Sequence, residues 1–387
     1  MKKPHIFISY TNTGSGHIIP ALAIAQCIEE LYPNQFKITC SDFFEDVGET
    51  KFNRYIENSW NILLKNPKIV QFCIIISKTL YFLAPYYIKI IHMRVHRNSI
   101  NYMHNLNPDI VFTTHFFTQG IALDARKKFS MNYPIITLNP DTFETFPQWD
   151  RRGEIFLVCS EIAKKIAIKL GHKESTIKIV PQALRKEFYI IDKKDPKELR
   201  KQYNLRQDVF TILMSDGGQG IGKMYPSIRA LLKINSPLNI IAICGKNHKL
   251  YKKLLKLQQK TIEKKSSVQF LIIGFADSMV PFIQMSDLFI GKSGPATVVE
   301  CLKMHLPVLI VFSANSAERK TANFFIEKQV VLSCMYMWLL PKKVEQIMNN
   351  PQKLIDIKTR LTNLDFFQNG SSVIAKIVVD TLEKKNI

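Results

Sequence analysis

Residues 209–222 read VFTILMSDGGQGIG, and this stretch decides the fold. An apolar, β-prone run, VFTILMS, ends in a loop carrying Gly217, Gly218, Gly220 and Gly222, and a helical stretch follows. A strand that enters a glycine-rich loop and then a helix is the opening of a doubly wound parallel sheet. The same opening stands earlier in the chain: HIFISY at residues 5–10, then Thr13-Gly14-Ser15-Gly16-His17, then a helix from about Ile18 to Leu31. Two such series predict an α/β protein of two Rossmann-like domains facing each other across a cleft.

Outward from these openings, FKITC, DIVFTTH, PIITLNP and IFLVC read as further strands of the first series, and LNIIAICG, VQFLIIG, LFIG and PVLIVF of the second. Runs this apolar suit strands covered on both faces. The expected domains are residues 1–190, with a mainly helical insert at 51–105, and residues 196–387. The last helix, 371–385, is expected to be able to pack back on the first domain. The boundary falls in the polar stretch around Asp192 to Gln207, with a linker near Lys186 to Asp195 and no apolar stripe to bury.

The 387 residues are enough for two cores, and 46% hydrophobic residues can fill them. Lys and Arg number 53 against 32 Asp and Glu, a net charge of +21. That excess calls for an anionic partner: nucleic acid, a phosphate-bearing substrate or an acidic membrane surface. A compositional bias that spreads lysine over the whole surface is the plainer reading. Lys249 to Lys265 is basic but nearly free of aromatics, so a nucleic-acid surface is not expected. The seven cysteines are scattered without metal or redox spacing, which suits a reducing, cytoplasmic setting. The N-terminus enters a short strand directly and does not read as a signal peptide.

Residues 69–91, IVQFCIIISKTLYFLAPYYIKII, are strongly apolar but interrupted by Gln71, Lys78 and Pro85. A spanning helix wants about 20 apolar residues without such breaks. Ile69, Phe72, Cys73, Ile76, Leu80 and Leu83 recur at helical spacing. The stretch is either a buried helix followed by another, or an interfacial helix with Lys89, Arg94 and Arg97 beside it to meet lipid phosphates.

Three sites carry chemistry. The loop before the first helix would let a ligand approach the backbone at a helix start, and His17 stands there as a possible general base, or as a plain capping histidine. The loop at Ser215–Gly222 suits an anion held by amides, most simply a diphosphate; no Lys-Ser/Thr pair closes it as a Walker loop. At Gly291–Glu300, Gly294 and Pro295 start a helix, and Thr297 and Glu300 share one face of it. Glu300 could take both hydroxyls of a ribose, or simply complement the helix dipole. No Asp-x-Asp pair is placed to hold a metal, and no cofactor is expected.

Taken together and in order, GSGHIIPALAIA, NPDTFETFPQW (139–149), VCSEIAKK (158–165), SDGGQGIG, ICGKN (243–247), GFADSM (274–279) and GKSGPATVVE resemble the family 28 glycosyltransferases of the GT-B fold. Within them the chain looks most like the monogalactosyldiacylglycerol synthases and processive diacylglycerol glucosyltransferases. The resemblance implies an inverting hexosyltransferase that binds a UDP-sugar in its second domain and uses a lipid acceptor, peripheral on the inner face of the cell membrane. It implies that Gly14, Gly16 and His17 lie at the acceptor side, with His17 or Asp141 as base. Gly217, Gly218 and Gly220 would hold the diphosphate, and Phe275 would meet the uracil. Gly294, Pro295, Thr297 and Glu300 would meet diphosphate and ribose. Glu318 would meet the sugar.

The family's Gln-Glu pair followed by Asn appears as Ala317-Glu318 and Thr321, so two sugar-holding amides are missing. Pro140 replaces a Thr before Asp141, and Phe146 stands where a His is common. The alternatives are a UDP-GlcNAc transferase acting on a polyprenyl-linked peptidoglycan precursor, a UDP-sugar epimerase of the same fold, and a sugar-binding relative with altered catalysis.

Overall fold

The computed structural model describes residues 3–12, 15–66, 69, 72–73, 75–76, 79–80, 89–90, 92–263, 266–362, 364 and 368–385. The chain divides into two compact units, Met1–Tyr189 with Phe366–Ile387, and Ile190–Asp365.

In the first unit β1 (His5–Tyr10), β2 (Lys37–Asp42), β3 (Ile110–Thr113), β4 (Ile135–Leu138), β5 (Ile155–Val158) and β6 (Ile177–Ile179) form one parallel sheet. Its order is β2-β1-β3-β4-β5-β6, so the winding reverses between β1 and β3. Alternate residues of β1 serve opposite faces. Ile6 and Ile8 pack with Ile24 and Ile28 of the helix Ser15–Leu31 and with Ile374, Val378 and Leu382 of the helix Gly370–Lys385. Phe7 packs on the other side with Phe43, Phe44, Phe52 and Ile100. The terminal helix is therefore part of the first unit's core. Its start is pinned there too: Ser371 Oγ donates to Leu184 O at 2.7 Å, and Gly370 N donates to Tyr189 Oη at 3.2 Å.

In the second unit β7 (Thr211–Ser215), β8 (Leu238–Ile243), β9 (Val268–Ile273), β10 (Leu288–Lys292), β11 (Val308–Phe312) and β12 (Val331–Ser333) are again all parallel. The order β12-β11-β10-β7-β8-β9 reverses between β7 and β10. Ile212, Met214, Ile240, Ala242, Leu288 and Ile290 build one face of its core.

The expected linker differs in part. Asp195 caps a short helix, Pro196–Gln202, by accepting from Lys197 N at 2.9 Å. Leu199 and Arg200 of that helix are buried, and the Arg200 guanidinium donates to Met285 O and Asp287 Oδ2 at 2.8 and 2.9 Å. A stretch without an apolar stripe is thus held on the second unit by Leu199 and Leu205, by Tyr203 against Phe282, and by the Arg200–Asp287 ion pair.

Candidate active site

In parallel sheets ligands gather outside the carboxyl ends of the strands where the winding reverses. The first unit's reversal lies between β1 and β3, which run in register from Ile6 with Ile110 to Ser9 with Thr113. His17 comes from the loop after β1 but stands in the first turn of the helix Ser15–Leu31, not in a loop. Its Nδ1 is 2.5 Å from Thr114 O, and Thr114 Oγ1 donates back to His17 O at 2.8 Å. A carbonyl only accepts, so Nδ1 carries the proton and Nε2 keeps the lone pair.

His115 lies edge-on to His17, ring centroids 4.7 Å apart, and caps the helix Phe116–Lys128 by accepting from Phe117 N at 3.3 Å. Burial pushes His17 down to about 4, against the opposing pull of the Thr114 hydrogen bond. Burial, with His17 beside it, takes His115 well below the ordinary histidine value. Two neutral imidazoles therefore face each other. Gly16 has nothing within 4 Å of the position a Cβ would take. Gly14 lies outside the described residues.

Asp141 follows β4, at the same end of the sheet, in a segment held from several sides. Asn139 Nδ2 donates to Glu144 O at 2.7 Å, and Asp141 N donates to Asn139 Oδ1 at 3.2 Å. Thr142 Oγ1 donates to Gln182 Oε1 at 3.0 Å, and Trp149 is buried at the segment's end. Asp141 is half-buried.

The second unit's reversal joins the loop after β7 to the end of β10. Gly220 has φ +59°, and a Cβ there would lie 2.1 Å from Cys244 O; Gly245 has φ +58° and would meet Gly218 O at 2.3 Å. The loop and the Gly245–Asn247 turn are thus backbone against backbone, closed by Lys246 N donating to Gly218 O at 2.8 Å and Asn247 Nδ2 to Gly220 O at 2.8 Å. The loop's amides are not all turned outward: Gly217 N donates to Ser215 Oγ at 3.2 Å and Gly220 N to Gly217 O at 2.9 Å. Those two glycines supply shape rather than donors.

Asp216 accepts from Met224 N at 2.8 Å, which ties the far end of the loop. Burial raises its carboxyl to about 6, with Glu318 adding to the rise and Lys292 opposing it.

Gly294 precedes the helix Pro295–Lys303, which has its proline in the first turn. Thr297 is half-buried, and Glu300 is only 3% exposed. Phe275 is 57% exposed. Glu318 is buried, with Oε1 3.0 Å from Lys292 Nζ and Oε2 accepting from Ala314 N at 2.7 Å. Thr321 Oγ1 donates to Ala317 O at 3.1 Å.

Sequence reasoning gave His115 and Lys292 no role. A histidine directly after a strand carries no motif, and the Lys292–Glu318 pair joins residues that only the fold brings together. The His115 signal was present as Thr-His at the end of DIVFTTH, the counterpart of the β1 strand end that leads to His17.

Of the apolar insert, Gln71, Lys78 and Pro85 lie outside the described residues. Among those described, Ile62, Ile69, Phe72, Ile75, Ile76, Leu80, Ile90 and Met93 are exposed, Phe72 to 63%. Arg94 and Arg97 are exposed near them, whereas Lys89 lies 3.6 Å from Asp124.

Residues 215–372 match the glycosyltransferase family 28 C-terminal domain. The chain is 24% identical over 362 residues to monogalactosyldiacylglycerol synthase 1, chloroplastic, of Arabidopsis thaliana, covering 88% of this chain and 63% of that protein. It therefore spans less than two thirds of that relative's length. It is 22% identical over 273 residues to the processive diacylglycerol beta-glucosyltransferase of Bacillus pumilus (strain SAFR-032), covering 70% of this chain and 69% of that one. In fold it is similar to Acinetobacter baumannii MurG, with a TM-score of 0.59 at 15% identity over 97% of this chain and 99% of that one. The two doubly wound units are those of the GT-B fold.

Proposed function

We propose that the chain is a family 28 glycosyltransferase that moves a hexose from a UDP-sugar to a lipid acceptor, diacylglycerol first, with inversion at the anomeric carbon. The observation that carries this reading is the second unit's reversal point: a glycine loop closed backbone to backbone, facing a helix start, with a buried lysine between. It suits a diphosphate, the leaving group of a nucleotide-sugar. Phe275 offers an exposed ring to the base, and Thr297 and Glu300 serve the ribose side.

In the reaction, the acceptor hydroxyl gives its proton to His17 Nε2 as its oxygen attacks the anomeric carbon. The bond to the diphosphate breaks, and its electron pair leaves with the UDP oxygen. Thr114 O fixes the imidazole tautomer so that Nε2 is the accepting nitrogen. Asp141, at the same end of the sheet, is the rival base.

The acceptor arrives from a membrane surface. Among the described residues no helix is long and apolar enough to cross a bilayer, while Phe72, Ile75 and Ile76 present apolar side chains to solvent and Arg94 and Arg97, later in the sequence, are exposed too. We place the working protein at the inner face of the membrane, drawn there by its positive charge.

The test incubates the protein with radiolabelled UDP-Gal, UDP-Glc or UDP-GlcNAc and vesicles containing diacylglycerol. Label is expected in the lipid phase with one hexose donor. Transfer only from UDP-GlcNAc to a polyprenyl-linked acceptor, or release of free sugar alone, would sink the diacylglycerol reading. Phe72→Ser with Ile76→Ser is expected to reduce vesicle binding while leaving UDP binding intact.

A further inference from the structure

Lys292 ends β10 immediately after a break in the pairing with β11: Gly291 faces Ile310, but Lys292 faces Phe312. The extra residue is Val311 on β11, and such irregularities are frequent beside active sites. The lysine side chain is turned largely away from solvent. Its side chain is 11% exposed, and its Cε lies 4.0 Å from where a Cβ on Gly217 would stand and 3.7 Å from one on Gly294. It thus threads between the two glycine segments. Its ammonium ends 3.0 Å from Glu318, whose other oxygen is held by Ala314 N at 2.7 Å.

A buried ion pair is a poor source of stability, because desolvation offsets most of the attraction. A lysine placed this way costs more than an apolar residue would unless the charge is used. Each ammonium has three donors, and Glu318 accepts from one side only. Glu318 has both oxygens engaged inside the protein, and the neighbours that read sugar elsewhere in the family are Ala317 and Thr321, whose hydroxyl is turned into its own helix.

We propose that Lys292 is the ammonium that meets the diphosphate of the donor, and that Glu318 is its positioning residue rather than a reader of the sugar. This rests on the UDP-sugar reading above. It differs from the family pattern, which gives Glu318 to the sugar.

The test is equilibrium binding of UDP and of uridine, by ligand-observed NMR, to the full chain, Lys292→Met, Glu318→Gln and the double variant. The double variant removes both buried charges together, so neither is left unpaired. Uridine lacks the diphosphate and reports whether the rest of the site is intact. UDP is expected to bind about 10- to 100-fold more weakly to Lys292→Met and to the double variant, the worth of a charge-assisted hydrogen bond, with uridine unchanged. Glu318→Gln is expected to weaken equilibrium binding of UDP-Gal and UDP-Glc, measured in the same way, by the same factor. Unchanged UDP affinity in the double variant, or parallel loss of UDP and uridine, overturns the role of Lys292. A change in the ratio between the two sugars with Glu318→Gln returns that residue to sugar reading. If the unaltered chain binds neither UDP nor uridine, the donor reading itself fails.

Discussion

At the carboxyl ends of β1 and β3 the first unit gathers two imidazoles and holds both uncharged. At the carboxyl ends of β7 and β10 the second gathers an ammonium and two carboxylates, with one carboxyl raised to about 6. Both places are set by the same winding reversal, yet their electrostatics are opposite. A neutral lone pair is what an incoming hydroxyl needs from a base, and positive charge, which here only the Lys292 ammonium among the three supplies, is what a diphosphate needs from its cradle. Topology supplies the address, and the side chains at the strand ends decide what can be done there.

The sharpest break of this comparison is His17→Ala. Loss of a general base lowers kcat by about 10²- to 10⁴-fold, whereas UDP affinity should stay put because the residues proposed to hold the donor lie in the other unit. If Asp141→Asn produces the large kcat loss and His17→Ala does not, the base role passes to Asp141.

Next in size is Gly220→Ala, where a methyl group would run into Cys244 O in a backbone with positive φ. Overpacking of this kind costs about 1–3 kcal/mol. Calorimetry should therefore show a lower unfolding temperature together with weaker UDP binding. Gly16→Ala is the contrasting case. Nothing lies within 4 Å of its Cβ position, so thermal stability should hold while the acceptor's KM rises. An unchanged KM would remove Gly16 from the acceptor side.

The smallest effect is on stability against pH. His17 and His172 are each lowered to about 4 by burial, so the unfolded first unit takes up protons that the folded one refuses. Its stability should fall as pH drops from about 6.5 towards 4. Asp216 is raised to about 6, so in the second unit its contribution is fully present below about 4 and lost as pH rises towards 6 and beyond. Amide hydrogen exchange at pH 7 and pH 5 should show the first unit losing protection relative to the second. Equal losses would mean that the histidines are hydrated in the folded chain.

Most of both sheets was legible because the inner strands are apolar runs, and β1 and β7 lead into glycine loops. The edge strands β6 and β12 were not, since Ile177–Ile179 and Val331–Ser333 are three residues each and take their conformation from the neighbour they pair with. The glycine loop after β7 was readable from its spacing, but its inward-turned amides were not: Gly217 N donates to Ser215 Oγ and Gly220 N to Gly217 O, partners that glycine spacing does not reveal. The pairing of His17 with His115 likewise required β1 and β3 to be neighbours, which a sequence separates by about a hundred residues.

The helix Gly370–Lys385 belongs to the core of the first unit although it follows the whole of the second unit in the chain. Ile374, Val378, Val379 and Leu382 are fully or almost fully buried there. At about 1.5–3 kcal/mol for each large aliphatic side chain, their removal would consume most of the roughly 5–15 kcal/mol that keeps a domain folded. During synthesis the second unit, Ile190–Asp365, can close its own sheet as it leaves the ribosome, while the first must wait with an open flank until the helix Gly370–Lys385 has followed it. The order in which the two units begin and the order in which they are completed are therefore reversed, and a nascent chain stopped before that helix would carry a finished second sheet and an exposed aliphatic groove on the first.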